Sequence, residues 1–113
     1  MNATHRTQTI FPSLTDHHLG DLGIGSWAWG NDIFWGRSSS HDIEETFTAS
    51  LKGNVSFFDT AEIYAGGRSE KYLGELTAPL QDKPFIATKF FPFPWRFRDS
   101  SLIGAARHSM KRL

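Results

Sequence analysis

The 113-residue chain is large enough for one small domain and has no formal net charge, with twelve basic and twelve acidic residues. A balanced surface attracts neither a nucleic acid nor an anionic membrane, so we expect neither as a partner. Hydrophobic residues make up 39% of the chain and aromatic residues 14%, which argues against disorder. The absence of cysteine excludes disulfides, thiolate metal sites and a cysteine nucleophile.

The amino-terminal residues carry little sign of targeting. The first fifteen are rich in Thr and lack acids, but they hold one Arg and no apolar core, so we interpret them as a tail that leads into a strand. No apolar run approaches the roughly 20 residues that a membrane-spanning helix needs. A cysteine-free chain is compatible with a reducing compartment, and we expect a cytoplasmic protein.

The predicted elements begin with two strands. Residues 8–14 could form a short strand, which Pro12 limits to the edge of a sheet. Residues 21–27 are a better candidate; their glycines permit close backbone approach, although Gly23-x-Gly25 alone usually means only a tight bend. This strand runs into a loop rich in aromatic residues and glycine: Trp29, Gly30, Phe34, Trp35 and Gly36.

The next two segments predict a helix and a buried strand. Residues 38–42 are a loop with a helix cap, and the helix is expected to end at Gly53. Its inward positions recur every four residues, at Ile43, Phe47 and Leu51. Residues 55–59 predict a strand that is apolar at nearly every residue except Ser56 and ends in Asp59, as expected when both faces of a sheet are covered.

The rest of the chain predicts two more helices and one more strand. Ser69 is expected to cap the second helix, and residues 84–89 predict the third strand. The proline-interrupted residues 90–97 are an aromatic loop that either lines a pocket or covers the third helix. Asp99 or Ser100 would cap that helix, whose expected inward residues are Leu102, Ile103, Ala106, Met110 and Leu113. Three βα units in succession are typical of a parallel α/β protein.

Two of these strands deliver residues with acid–base chemistry. Asp59 ends the second strand, Tyr64 lies on the loop that follows, and Lys89 ends the third strand. The carboxyl ends of parallel strands meet at one edge of a sheet, where active sites form. Taken singly, each residue has a plainer interpretation: a turn or helix cap for Asp59, packing for Tyr64 and a solvated strand end for Lys89.

The motif Phe-Asp-Thr-Ala-Glu-x-Tyr-x-x-Gly-x-Ser-Glu spans residues 58–70, and Thr88 precedes Lys89 at the end of the next strand. This pattern closely resembles the aldo-keto reductases, from about Leu19 to Leu113. The resemblance implies an α/β fold that is part of a (β/α)8 TIM barrel, with an amino-terminal hairpin region and about the first three βα units. It divides the chain into a tail and hairpin region, residues 1–18, and an incomplete barrel domain, residues 19–113.

The resemblance implies an oxidoreductase that reduces aldehydes or ketones, with NADP(H) as cofactor and a small-molecule carbonyl compound as substrate. Because a phenol of pKa ~10 is a poor acid unless its anion is stabilised, Tyr64 would donate the proton with Lys89 as the stabilising cation. Asp59 would be the partner of Lys89 and would contact the cofactor. The segment that touches the nicotinamide end of the cofactor would be Gly25, Ser26 and Trp27, and substrate contacts are expected from Tyr64 and Trp27.

The resemblance also implies parts that lie beyond Leu113: a catalytic His after the fourth strand and phosphate-binding loops after the seventh and eighth. We therefore expect an amino-terminal portion of a reductase that is inactive by itself; the alternative is a non-catalytic binding or regulatory module derived from the same fold. The family usually has Gly after the tyrosine, where this chain has Ala65. The histidines match no motif, and their scatter predicts no metal site: His5, His17, His18, His41 and His108.

Overall fold

The computed structural model describes residues 19–33 and 36–113. Within these residues strands and helices alternate: β1 Ile24–Gly25, α1 Ser40–Lys52, β2 Phe57–Asp59, α2 Arg68–Thr77, β3 Phe85–Ala87 and α3 Asp99–Arg112. The prediction of three βα units is confirmed. None of the helices in this part of the chain is long and apolar enough to cross a membrane. The amino-terminal tail, the predicted strand at 8–14, and Phe34 and Trp35 lie outside the described residues.

The strands form one parallel sheet in the order β1-β2-β3, with β2 in the centre. Phe58 on β2 pairs with Ile24 on one side and with Ile86 on the other. The next residue along β2 is Asp59, which pairs with Gly25 and Ala87. Because the strands are parallel and end in register, the segments that follow all three leave the sheet at the same edge.

A capping box stabilises the start of helix α1 by hydrogen-bonding backbone amides that have no partner within the helix. The Ser39 hydroxyl accepts a hydrogen bond from the Asp42 amide at 3.1 Å, and the Asp42 carboxylate accepts one from the Ser39 amide at 2.9 Å. The helix ends at Lys52, with Gly53 as its carboxyl-terminal cap, as predicted. Ile43 and Phe47 are buried on its inward face, which confirms the predicted periodicity.

The hydrophobic core lies around Phe58, which is fully buried in the central strand. The ring of Phe47 from α1 is 5.0 Å from that of Phe58, and Trp29, from the loop after β1, is 6.1 Å away. Such tilted aromatic pairs add about 0.5–1.5 kcal/mol to the burial of their area. The buried members of this cluster are Trp29, Ile43, Phe47, Phe58 and Leu73.

The prediction for α3 is wrong at its start and on most of its inward face. The helix begins at Asp99, after Arg98, which makes no side-chain cap bond, so neither Asp99 nor Ser100 is the cap. The small residues Ala105 and Ser109 are buried, and Leu113 packs against the core as predicted. The residues that were expected inward but are exposed are Leu102, Ile103, Ala106 and Met110.

The carboxyl-terminal end of α3 lies directly against α2. A Cβ atom on Gly74 of α2 would collide with the backbone carbonyl oxygen of Arg112. Glycine inside a helix costs about 1 kcal/mol relative to alanine. The close approach of the two helices explains why α2 carries a glycine at this position.

We predict opposite effects for two glycine-to-alanine substitutions in the full-length protein. Gly74→Ala should lower the free energy of unfolding by about 1–3 kcal/mol, because the added methyl group meets rigid backbone. Gly104→Ala on α3 is the matched control, since a Cβ atom there meets no described atom within 4 Å. It should raise stability by about 0.5–1 kcal/mol. Urea unfolding measures both, and equal effects would contradict this account of the α2–α3 contact.

Candidate active site

Asp59, Tyr64 and Lys89 converge at the carboxyl edge of the sheet. The Lys89 ammonium donates to both Asp59 carboxylate oxygens at 2.7 Å and to the Thr60 carbonyl oxygen at 2.7 Å. The centre of the Tyr64 ring lies 5.2 Å from the Lys89 Nζ atom. The structure therefore brings together the carboxylate, the ammonium and the phenol that the sequence singles out, while their catalytic roles stay predictions.

Backbone hydrogen bonds beyond the ends of the strands hold the Tyr64 loop beside Lys89. The Thr60 amide donates to the Ala87 carbonyl at 2.8 Å, and the Glu62 amide donates to the Lys89 carbonyl at 3.2 Å. The pairing of β2 with β3 thus continues past both strands. The loop that carries the phenol is fixed against the segment that carries the ammonium.

The surroundings of Lys89 favour its charged form. Partial burial alone lowers its pKa, but the hydrogen bond and charge of Asp59, with smaller contributions from Tyr64, raise the pKa above its ordinary value of 10.5. The side chain is therefore an ammonium at neutral pH. Its contribution to stability is present below pH ~10.5 and is lost as the pH rises through the folded value. Because nearly half of the side chain is exposed, solvent screens this contribution.

Three buried hydroxyl groups support the edge of the sheet beneath these residues. The Ser69 hydroxyl lies 2.6 Å from that of Ser26 and 2.9 Å from that of Thr60. The Ser26 hydroxyl also donates to the Asp59 carbonyl oxygen at 2.9 Å. All three side chains are fully buried, so each hydrogen bond satisfies a group that water cannot reach. The network fixes the first turn of α2 to the ends of β1 and β2.

The role of Ser69 differs from the prediction that it caps α2. The helix begins at Arg68, and the residue before it is Gly67, whose φ of 92° is accessible to glycine but rarely to other residues. Ser69 therefore lies inside the first turn and its hydroxyl points to the interior. A hydroxyl residue beside a strand end gives only a weak sequence signal for such a network.

Glu70 is a fully buried carboxylate that the sequence reasoning missed. It accepts a hydrogen bond from the Thr88 hydroxyl at 2.6 Å and one from the Arg112 Nε atom at 2.6 Å. A buried charge is tolerated only when it is paired and hydrogen-bonded, and both conditions hold here. Since Thr88 directly precedes Lys89, Glu70 joins α2 and α3 to the segment that carries the ammonium. The sequence signal that could have identified Glu70 is its position as the last residue of the motif at residues 58–70.

The predicted cofactor segment lies at the open side of the same edge. Gly25 is exposed, and a Cβ atom on it would meet no described atom within 4 Å. Trp27 is 53% exposed, and the centre of its ring lies 6.4 Å from that of the Tyr64 ring. Ser26 is fully buried and its hydroxyl is engaged in the interior network. Cofactor contacts by these residues and substrate contacts by Trp27 and Tyr64 stay predictions.

Ala65 has a strained backbone conformation directly after Tyr64. Its φ of 51° and ψ of 35° lie in the left-handed region, which costs about 1–2 kcal/mol for residues other than glycine. The usual Gly of the family pattern avoids this cost. The departure from the pattern is therefore tolerated at an energetic penalty that the surrounding contacts offset.

We predict that Ala65→Gly stabilises the full-length protein by about 0.5–1 kcal/mol, because relief of strain exceeds the entropy that glycine adds to the unfolded chain. The matched control is Ala49→Gly on the exposed face of α1, which should destabilise by about 0.5–1 kcal/mol. Thermal and urea unfolding give both values. Destabilisation by Ala65→Gly would contradict the inference that the backbone of Ala65 is strained.

A second ion pair lies beside the trio and joins two loops. Arg96 donates to Glu62 through Nη1 at 2.6 Å and through Nη2 at 3.1 Å, and the Phe91 amide donates to the same carboxylate at 2.7 Å. The side chains of Glu62 and Arg96 are only 10% and 19% exposed. The sequence reasoning missed this pair. The sequence signal that could have indicated it is Arg96, the single charged residue among the apolar residues 90–97.

The Glu62 carboxylate is held in its charged form. The Arg96 hydrogen bond lowers its pKa from the ordinary 4.5, and this outweighs the opposing effect of burial. A lowered pKa means that the pair stabilises the fold above pH ~4.5 and that this contribution is lost as the pH falls through the folded value.

We predict that Glu62→Gln lowers the melting temperature near neutral pH, and that the difference from the wild type shrinks below pH ~4.5. The matched control is Glu75→Gln, which removes an exposed pair with Lys71. Its effect should be small at every pH. Thermal unfolding across the acidic range measures these differences, and a gap between Glu62→Gln and the wild type that does not depend on pH would contradict the assignment.

No group of three or more His, Asp or Glu residues within residues 19–33 and 36–113 is arranged to hold a metal ion. Of the histidines, His41 lies on α1 and His108 on α3, and both are exposed. The others, His5, His17 and His18, are outside the described residues.

Parallel βα units with these groups at their carboxyl edge define part of a (β/α)8 barrel. Residues 21–113 match the model of the Aldo/keto reductase family. The chain belongs to the aldo-keto reductase family.

Two curated relatives and one solved structure illustrate the similarity. The chain is 36% identical over 104 residues to the chloroplastic pyridoxal reductase of Arabidopsis thaliana, covering 81% of this chain and 28% of that protein. It is 32% identical over 98 residues to the methylglyoxal reductase YeaE of Escherichia coli K12, covering 87% and 32%. The crystal structure of an aldo-keto reductase from Klebsiella pneumoniae in complex with NADPH superposes with a TM-score of 0.67 at 24% identity, covering 83% and 31%. The chain thus spans about a third of the length of these proteins.

Proposed function

We propose that the protein containing this chain is an NAD(P)H-dependent oxidoreductase that reduces an aldehyde or ketone to an alcohol. The observation that supports this most is the position of the Lys89 ammonium, 2.7 Å from the Asp59 carboxylate and 5.2 Å from the centre of the Tyr64 ring. Each of the three groups comes from a different part of the carboxyl edge. Their convergence is what an acid–base site for carbonyl reduction requires.

Tyr64 is proposed as the proton donor. It transfers its hydroxyl proton to the oxygen that becomes the alcohol, and the Lys89 ammonium stabilises the phenolate that remains. Asp59 holds the ammonium in place through two hydrogen bonds of 2.7 Å. In the absence of that carboxylate, the ammonium would lose both its orientation and part of its charge stabilisation.

NADP(H) is the proposed cofactor, and when bound it supplies the hydride. Its nicotinamide end is proposed to lie against this segment, because Gly25 is exposed and a Cβ atom there meets no described atom within 4 Å, and because the Trp27 ring centre lies 6.4 Å from that of Tyr64. The residues proposed to contact it are Gly25, Trp27 and Asp59, while Ser26, which is fully buried, would support this segment from the interior network and not through its side chain. The solved relative from Klebsiella pneumoniae, which shares the fold, is a complex with NADPH.

A small carbonyl compound is the proposed substrate, bound beside Tyr64 and Trp27. The two curated relatives are named as reductases of pyridoxal and of methylglyoxal, which are both carbonyl compounds. The cytoplasmic location and the division of the chain at residues 18 and 19 stay predictions. The alternative of a non-catalytic module would not require the three groups to converge, so their arrangement favours the enzyme.

We predict that Tyr64→Phe lowers carbonyl reduction by the full-length protein about 10²–10⁴-fold, because the proton donor is lost. Dissociation of NADPH, measured by fluorescence, should change little, since the ring is retained. The matched control is Tyr72→Phe, at the chain's other tyrosine, which packs against the core and should keep normal turnover. Normal turnover by Tyr64→Phe, followed as consumption of NADPH, would refute the proton-donor role.

A further inference from the structure

Glu62 contacts both segments that carry the proposed acid–base groups. It precedes Tyr64 by two residues on the same loop, and its backbone amide bonds to the carbonyl oxygen of Lys89 at 3.2 Å. Its side chain reaches past that segment to the loop of residues 90–97, which we call the aromatic loop. Glu62 therefore lies at the junction of the phenol, the ammonium and the aromatic loop.

Arg96 closes the aromatic loop onto Glu62. Besides its two bonds to the carboxylate, its guanidinium donates to the Phe91 carbonyl at 2.9 Å and lies 4.3 Å from the centre of the Phe90 ring. Two parallel hydrogen bonds from one guanidinium fix both the direction and the distance of a carboxylate, which a single hydrogen bond does not. Phe90 and Phe91 directly follow Lys89, so the pair also restrains the backbone that carries the ammonium.

We infer that Glu62 and Arg96 are positioning residues for carbonyl reduction, which fix the separation of the Tyr64 hydroxyl and the Lys89 ammonium. They reach neither of these groups with their own side chains and act through the backbones of the two loops. The inference rests on the proposed function, because it assigns a role in the same reaction.

The physical argument separates this role from a purely structural one. A nearly buried ion pair adds little net stability compared with apolar groups of the same volume. The two-point contact of an arginine with a carboxylate nevertheless restricts how the two groups can lie relative to each other. Proton transfer depends steeply on geometry, and a displacement of about 1 Å costs on the order of 10²-fold in rate. Loss of the pair should therefore reduce kcat more than it reduces the affinity for cofactor or substrate.

The test uses the full-length protein with NADPH and a small aldehyde, and it determines kcat, KM and the dissociation constant of NADPH separately. Arg96→Met and Glu62→Gln should each lower kcat about 10-fold or more, with KM and NADPH binding within about twofold. Arg96→Lys keeps the positive charge but cannot make two parallel hydrogen bonds to the carboxylate, so it should give an intermediate kcat. The double variant should be no slower than the slower single variant, because the two residues act as one unit.

Controls distinguish this inference from the proposed function. Glu75→Gln, at an exposed ion pair on α2, should leave all three parameters unchanged. If Tyr64→Phe abolishes turnover while folded Glu62→Gln and Arg96→Met keep the wild-type kcat, the proposed function stands and the positioning role is overturned. If Tyr64→Phe keeps turnover, the proposed function itself fails and the positioning role fails with it.

The positioning role can be tested even if some variants of Glu62 or Arg96 are less stable. Kinetics are measured well below the melting temperature of each variant, so that lower stability alone leaves kcat unchanged. If Glu62→Gln does not fold, the order of kcat among the wild type, Arg96→Lys and Arg96→Met decides. A stepwise decrease supports the positioning role, and three equal values overturn it.

Discussion

The contact between the Lys89 ammonium and the Asp59 carboxylate is the interaction on which the site depends. It joins the ends of two neighbouring strands, β2 and β3, whose parallel pairing places Asp59 beside Ala87. The α2 helix must return the chain to the start of β3 for that pairing to exist. The chemistry at the edge thus follows from the βα topology, and the phenol of Tyr64 is added by the loop between β2 and α2.

Local sequence patterns were sufficient to predict most of the fold. For helix α1 the sequence predicted a cap within residues 38–42 and an inward face that recurs every four residues, and the structure identifies the cap as Ser39. These signals act within a few residues. The convergence of the trio could be predicted as well, since three polar residues near the ends of neighbouring parallel strands have to meet at one edge. The resemblance to the family supplied what spacing alone could not, namely which chemistry these residues would serve.

The missed features depend on partners that are distant in sequence. The ion pairs Glu70–Arg112 and Glu62–Arg96 form only after the helices and loops have packed. No local sequence pattern specifies either pair. The inward face of α3 was wrong for the same reason. Its buried residues are Ala105 and Ser109 rather than its most apolar stripe, and its end packs against Gly74 of α2. Tertiary contacts override helix periodicity wherever two backbones approach closely.

The register of the sheet has a consequence for how the chain can vary in length. Lys89 follows Ala87 by two residues, and side chains along an extended segment alternate between two faces. One residue gained or lost there would turn the ammonium away from Asp59 and would also move the Thr88 hydroxyl away from Glu70. The turn between α2 and β3 lies at the opposite edge, where an added residue leaves this spacing intact. We therefore expect a change of length to be less damaging at the α2–β3 turn than between Ala87 and Lys89.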